Sequence, residues 1–388
     1  MCDWYHPRVG GIELHLQDLA KHLTAAGHDV VVVTPTPGGA HVEGIRVRRI
    51  AATLAPKFGF LCTAAGVRAV GDALAEERVD VAHCHVSIIS PAALGGAYQA
   101  QRRGIPTVIT FHSVVPRTRL LARVVSAALG TPAWRARFSA VSQRVAGDVR
   151  PLSGAQPMTV LPNGIDVSFW RAQPRSRPHR DGVTLRLISV MRLNAKKRPL
   201  ALVNMMRRLA TMLPQRADVT TDPATGAATG AATDPAMRVS LRIVGDGPER
   251  ARVERAIAKA GLSGRIELLG TRSRAEIREL LGGSDVFVLP TVRESFGLAA
   301  LEARCAGLPV VAMAASGVAE LIQHGRHGLL AGSDAELAVH VATLARDADL
   351  RCAMARNNRE TRPLCDWPLV AEQHVSLYRE AIALRARV

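Results

Sequence analysis

Twice along this chain, short uninterrupted runs of β-branched and aliphatic residues alternate with stretches of helical spacing. In the first half the runs are His28 to Pro35, Val79 to His85, Ile105 to His112 and Phe138 to Ser142. The grammar restarts with Leu185 to Val190, then Leu241 to Val244, Ile266 to Leu269, Asp285 to Pro290 and Pro309 to Met313. Strands without polar alternation are buried on both faces, so the intervening helices must cover a parallel sheet from two sides. Ile12, Leu16, Leu19, Ala20 and Leu23 mark the first such helix, which Gly27 stops. At 388 residues the chain exceeds one ordinary domain. The pattern predicts an α/β architecture of two Rossmann-like domains facing across a cleft, with ligands at the carboxyl ends of the strands. Residues 1–170 would form one of these domains and residues 183–366 the other.

With 48% apolar and 21% charged residues the composition is globular. No run approaches the roughly 18 apolar residues of a membrane span, and Met1-Cys2-Asp3-Trp4 has neither the basic nor the apolar region of a signal peptide. Six cysteines without a C-x-x-C pair speak against a disulfide framework or zinc ribbon and fit a reducing cytoplasm. The net charge of +17 favours anionic partners: phosphate-bearing substrates, an anionic membrane surface or nucleic acid. Its ordinary reading is simply an arginine-rich surface. Nucleic acid is disfavoured, since zinc-finger spacing and RNP-like motifs are absent and aromatics are only 4%.

Three segments break the pattern. Arg171 to Gly182, rich in proline and arginine, reads as the linker. Residues 221–236 (TDPATGAATGAATDPA) have no apolar face to bury and read as a low-complexity surface insertion. Only Met1 and Cys2 precede the segment leading into Gly10-Gly11, where an α/β domain needs a first strand. The expectation is therefore that this strand is truncated and that the native start lies upstream.

Four constellations stand at the carboxyl ends of expected strands. In Arg293 to Gly307 (RESFGLAALEARCAG) a buried strand leads into a helix expected to open near Ser295, whose N-terminus suits a phosphate. Glu294 sits at its mouth and Glu302 eight residues on, so both carboxylates can accept from sugar and ribose hydroxyls. In Val190 to Pro199 (VMRLNAKKRP), Arg192 and Lys197 can hold a diphosphate and stabilise its departing charge. Gly245, in the Val244 to Pro248 turn, lets backbone approach a ligand, and Gly10-Gly11 opens the first helix. Singly, each pattern also fits a solvated helix or loop.

Taken together they carry a resemblance. The GGIE loop after Tyr5-His6-Pro7, the Asp80 to His85 stretch, Phe111-His112-Ser113, Leu161 to Asp166 (LPNGID), the Arg192/Lys197 pair, GDGP, ESFGLAALE and the closing Trp367 to Tyr378 stretch span nearly the whole chain. The sequence resembles the retaining, nucleotide-sugar-dependent glycosyltransferases of the GT-B type, group 1 or family 4. That resemblance implies a metal-independent hexosyl- or N-acetylhexosaminyltransferase, with a nucleotide-diphosphate sugar as donor and no cofactor; residues 1–170 would be the acceptor-side domain, completed by a C-terminal helix, 367–388, that crosses back to it, and residues 183–366 the donor domain. It implies that Arg192 and Lys197 bind the donor diphosphate, that Glu294 holds sugar hydroxyls, and that the amides of Phe296, Gly297 and Leu298 surround phosphate and sugar. Glu302 would bind the ribose, Gly10 and Gly11 would close on the diphosphate, and His112 would lie near the anomeric carbon. Arg198 departs from the pattern, since relatives often carry glycine after the lysine.

The acceptor would be a sugar or a lipid-linked or cell-envelope glycan precursor. Between Asp80 and Asp148 the chain has eight arginines and no acid, and Arg117 to Phe138 can form a basic amphipathic segment on an anionic leaflet or an ordinary packed helix. A peripheral position at the inner face of the plasma membrane is thus one expectation. His83-Cys84-His85 lacks a further ligand for a metal, and Asp347-Ala348-Asp349 lies in a polar helical stretch, so no metal is expected. A non-catalytic sugar- or nucleotide-binding protein on the same fold is the alternative. An oxidoreductase would need a complete glycine fingerprint, which is missing.

Overall fold

The computed structural model describes residues 1–8, 10–50, 64–87, 90–113, 130–154, 156–171, 184–213 and 238–386. The linker beyond Arg171, the 221–236 insertion and most of the basic 117–138 segment lie outside these residues. The chain divides into two compact units, Met1–Asp166 with Leu364–Val388, and Val167–Pro363.

The first unit contains helix α1 (Gly11–Ala25), strand β1 (Val31–Thr34), the hairpin β2 (His41–Val42) and β3 (Ile45–Arg49), α2 (Ala64–Glu76), β4 (Ala82–Val86), α3 (Pro91–Arg102), β5 (Thr107–Phe111), β6 (Ala136–Ala140), α4 (Gln143–Ser153) and β7 (Met158–Val160). Its strands form two sheets, ordered β1-β3-β2 and β4-β5-β6-β7. The second is wholly parallel, but β2 pairs antiparallel with β3, a hairpin that the expectation of an all-parallel sheet did not include. Its reason is period-two patterning: Ile45 and Val47 are buried while Arg46 and Arg48 face outward. Cys2 stands between the sheets, donating its N–H to Val33 O at 3.1 Å, while His85 N donates to Met1 O at 2.9 Å. Asp3, also buried, accepts from the N–H groups of Ala92 and Ala93 and so caps α3 across the sequence.

This unit is completed from the far end of the chain by helix α12 (Trp367–Ala386). Leu377 and Ala381 pack on Val108 and Leu161 in one buried cluster. The LPNGID stretch receives the returning chain: Ile165 N donates to Cys365 O at 2.9 Å, and Trp367 N to Ile165 O at 3.1 Å. Gly164 is required there, because a Cβ would meet the buried Trp367 ring at 2.4 Å.

The second unit has a single six-stranded parallel sheet. Its elements are α5 (Val167–Trp170), β8 (Thr184–Val190), α6 (Pro199–Met212), β9 (Arg238–Val244), α7 (Arg250–Lys259), β10 (Ile266–Gly270), α8 (Arg274–Gly282), β11 (Val286–Leu289), α9 (Leu298–Cys305), β12 (Val310–Met313), β13 (Gly328–Ala331), α10 (Asp334–Arg346) and α11 (Ala348–Glu360). The order β10-β9-β8-β11-β12-β13 is the doubly wound Rossmann arrangement, and its switch point falls between β8 and β11, where the strand order reverses. Strands β11 and β12 are buried at every residue, as their unbroken apolar sequences require.

Candidate active site

In the second unit the expected residues gather at the carboxyl ends of β8 and β11, the two strands flanking the switch point. Beyond β8 the chain forms a loop and one 3-10 turn, Ala195–Lys197, before α6. Asn194 caps that turn, its side-chain carbonyl accepting from Lys197 N at 3.0 Å. Beyond β11 the chain runs through Pro290 and Glu294 to α9. Lys197 Nζ and Glu294 Oε2 meet at 2.5 Å, with the Glu294 side chain 13% exposed. A charge-assisted pair of this kind holds both ends in a fixed geometry at the mouth of the sheet. Arg192, on the same loop, is exposed and has no side-chain partner among the described residues.

The helix expected to open near Ser295 begins three residues later, at Leu298. Gly297 is its N-cap in the left-handed region at φ 99°, and a Cβ there would meet Val318 Cγ2 at 2.4 Å. Residues 295–297 therefore form a turn, and Gly317 N, donating to Glu294 O at 2.9 Å, folds the 317–320 turn over it. Phe296, Gly297 and Leu298 present N–H groups with no acceptor among the described residues, at a positive helix end. Glu302 lies within α9 and is half-buried.

Gly245 sits at the end of β9 with φ 121°. The close approach it allows is to the protein itself, since a Cβ would meet Met191 O at 2.0 Å. Met191 N donates to Val244 O and Leu193 N to Asp246 O, both at 2.9 Å, so the glycine turn is zipped along the Arg192 loop. The glycine therefore has a reason within the protein itself, which is to let the two loops touch.

The remaining expected residues belong to the first unit. Gly10, in extended backbone, is the N-cap of α1, and Gly11 is exposed at its first position. His112 follows β5 and is 5% exposed. Its Nε2 lies 2.9 Å from His85 Nδ1, within a cluster that sequence reasoning missed: His15, His83, His85, His112 and His374. His83 bonds Tyr378 and Thr110, at 2.8 and 2.7 Å, and Trp367 stacks on His15 and His22. Burial pushes every one of the five imidazoles down, His112 to about 3 and His374 to about 4. They are neutral at physiological pH. No signal in the sequence joins them, because they stand on α1, β4, the end of β5 and α12.

Among the described residues no group of three His, Cys, Asp or Glu could hold a metal ion. Asp347 is the N-cap of α11, accepting from Leu350 N at 2.8 Å. Likewise, no helix among the described residues is long and apolar enough to cross a membrane.

Residues 230–361 match the family model of glycosyl transferases group 1, and residues 9–169 that of glycosyltransferase family 4. A GDP-mannose-dependent alpha-mannosyltransferase of Mycobacterium tuberculosis (strain CDC 1551 / Oshkosh) is 28% identical, the match covering 100% of this chain and 96% of that protein. A D-inositol 3-phosphate glycosyltransferase of Salinispora arenicola is 25% identical over 97% of this chain and 88% of its own length. Among solved structures, Anabaena Alr3699/HepE in complex with UDP and glucose superposes with a TM-score of 0.73 at 22% identity, covering 97% of this chain and 98% of its own. Sucrose-phosphate synthase from Thermosynechococcus elongatus gives 0.74 at 20% identity, over 99% and 96%.

Proposed function

Because this chain belongs to the group 1 and family 4 glycosyltransferases of the GT-B fold, we propose that it moves a hexosyl-type sugar, with retention, from a nucleotide-diphosphate sugar to a hydroxyl acceptor. The observation that carries this reading is the Lys197–Glu294 pair, set beside the open amides of Phe296, Gly297 and Leu298 at the sheet's switch point. Anionic diphosphate matches the amides, Lys197 and the exposed Arg192. A sugar hydroxyl matches the carboxylate of Glu294, and Glu302 is the carboxylate for the ribose.

In the proposed reaction the acceptor hydroxyl attacks the anomeric carbon on the face from which the diphosphate leaves. The bond from that carbon to the phosphate oxygen breaks, the bond to the acceptor oxygen forms, and the acceptor's proton passes to the departing phosphate. No dedicated base or metal is required. Arg192 and Lys197 stabilise charge that develops as the nucleoside diphosphate departs, which is where preorganised cations lower a barrier most. In the same proposal Gly10 and Gly11 meet the diphosphate, Gly245 supports the Arg192 loop, and His112 acts near the anomeric carbon as a neutral imidazole. An envelope glycan precursor or other lipid-linked acceptor is the acceptor class, and the +17 charge supports a place on an anionic membrane face.

The test is a thermal-shift screen of UDP-glucose, GDP-mannose and ADP-glucose, followed by nucleotide release with candidate acceptors. A donor at a hundred times its dissociation constant stabilises by about 2.7 kcal/mol. Binding without nucleotide release toward any sugar, inositol or polyprenyl acceptor would favour the non-catalytic alternative. Absence of both removes the reading. Flotation with anionic vesicles at low salt, and none with neutral vesicles, is the result expected for the membrane position.

A further inference from the structure

We infer that Arg198 is a positioning residue that holds Lys197 against Glu294, an inference that rests on the glycosyltransferase reading above. Arg198 occupies the left-handed region, φ 57° and ψ 48°, between the 3-10 turn and Pro199 at the start of α6. Any side chain with a Cβ is disfavoured there relative to glycine, so the backbone alone would select glycine. The arginine side chain has to account for its own presence, and its contacts do so.

The guanidinium reaches two other elements of the same unit. One nitrogen donates to Pro290 O at 2.9 Å, at the end of β11, and the other meets Asp334 Oδ2 at 2.6 Å, in the first turn of α10. Pro290 is the root of the loop that carries Glu294. Arg198 therefore ties the base of the Lys197 turn to the base of the Glu294 loop, the two segments that carry the ion pair. Thr291 Oγ1, donating to Lys197 O at 3.3 Å, runs alongside as a weaker second tie. A planar fork of donors fixed at two points resists rotation of the turn in a way that glycine cannot. Nothing in this arrangement brings Arg198 itself to the substrate. Its effect passes through Lys197, whose displacement by about 1 Å from the departing diphosphate is enough to cost on the order of a hundredfold in rate.

The experiment measures kcat, donor KM and Tm for wild type, Arg198→Gly, Arg198→Lys, Lys197→Ala and the double variant Lys197→Ala/Arg198→Gly. Arg198→Gly is expected to lower kcat at least tenfold, with donor KM within threefold and little change in Tm, because glycine relieves the left-handed backbone while the ties are lost. Arg198→Lys, which keeps one donor toward Pro290 O, should recover part of the rate. In the Lys197→Ala background the glycine substitution should change kcat by less than twofold, as required of a residue that acts through the lysine. A kcat within threefold of wild type for Arg198→Gly overturns the role. So does a loss that appears only in Tm or KM, or one that repeats in full without Lys197. A wild type that releases no nucleotide from any donor overturns the functional reading and this role with it, whereas an active wild type beside an unaffected variant overturns this role alone.

Discussion

Lowering the pH from 7.5 to 5 should unfold the first unit far more readily than its net charge alone suggests, and replacing His374 by glutamine should flatten that response. The unfolded chain titrates its histidines near 6.5, whereas burial holds His374 at about 4 and His112 at about 3. A depressed imidazole gives its full stability above pH 6.5. Below it the unfolded chain takes up a proton that the folded chain refuses, and stability falls until the folded value is reached. At 1.36 kcal/mol per unit, the span from 6.5 to 5 costs about 2 kcal/mol per imidazole, or about 4 kcal/mol for these two. His15, His83 and His85 act in the same direction. The other groups near the cluster are the Met1 ammonium, which adds to the depression of His83 and His85, and Tyr378, whose hydroxyl burial pushes up beyond the acid range. Asp3 opposes them: desolvation raises it to about 6, so the folded state binds its proton first and gains about 1 kcal/mol by pH 5. The balance is a loss of at least about 3 kcal/mol, a large share of a typical 5–15 kcal/mol. Urea unfolding followed by tryptophan fluorescence at pH 7.5, 6.5, 5.5 and 5 measures it, Trp367 reporting from its stack against His15 and His22. His374→Gln keeps a donor for Val370 O but cannot titrate, so the slope between pH 6.5 and 5 should drop by about one proton. Stability constant to within about 1 kcal/mol across this range, or an unchanged slope in the variant, would refute the neutral buried cluster.

Lys197→Ala should lower kcat by roughly 10²–10³, the scale of losing one preorganised donor, with Tm nearly unchanged because the pair is partly solvated; near-wild-type turnover would remove Lys197 from the reaction. Arg192→Ala should act in the same sense in a nucleotide-release assay. Gly245→Ala places a Cβ 2.0 Å from Met191 O at φ 121° and should cost on the order of 3 kcal/mol, read as a lower midpoint in urea. Gly164→Ala drives a methyl into the Trp367 ring and should expose the 364–386 segment to limited proteolysis; unchanged digestion would mean that the ring can move aside.

How much of this was readable depends on whether the information is local. β11 and β12 announce themselves because strands buried on both faces permit no polar interruption. Strand β3, Ile45–Arg49, hides its alternation among arginines, and β7, of three residues, is shorter than any periodicity can establish. The start of α9 was misplaced because a glycine before a helix reads equally as its first turn or its cap; φ 99° at Gly297 decides for the cap. In the site, the residue types of Arg192, Lys197, Glu294 and Glu302 stand in the sequence at their spacing. The Lys197–Glu294 contact does not, because 97 positions separate the partners. Arg198 was visible as an oddity, but its reason lies at Pro290 and Asp334, on other elements. The histidine cluster is the extreme case, assembled wholly by topology.

The return of α12 to the first unit also sets a timetable for synthesis. When the ribosome has passed Asp166, that unit still lacks the helix whose Leu377 and Ala381 cover Val108 and Leu161. The missing piece comes roughly two hundred residues later, about 10–40 s at ordinary elongation rates, and the whole of 167–363 emerges first. The second unit can therefore close while the earlier-made unit waits with an apolar sheet face uncovered, inverting the usual order in which the N-terminal portion of a chain folds first. Nascent chains arrested with Pro363 just clear of the tunnel should yield a protease-resistant second unit and a cleavable first one. Those released after Ala386 should protect both.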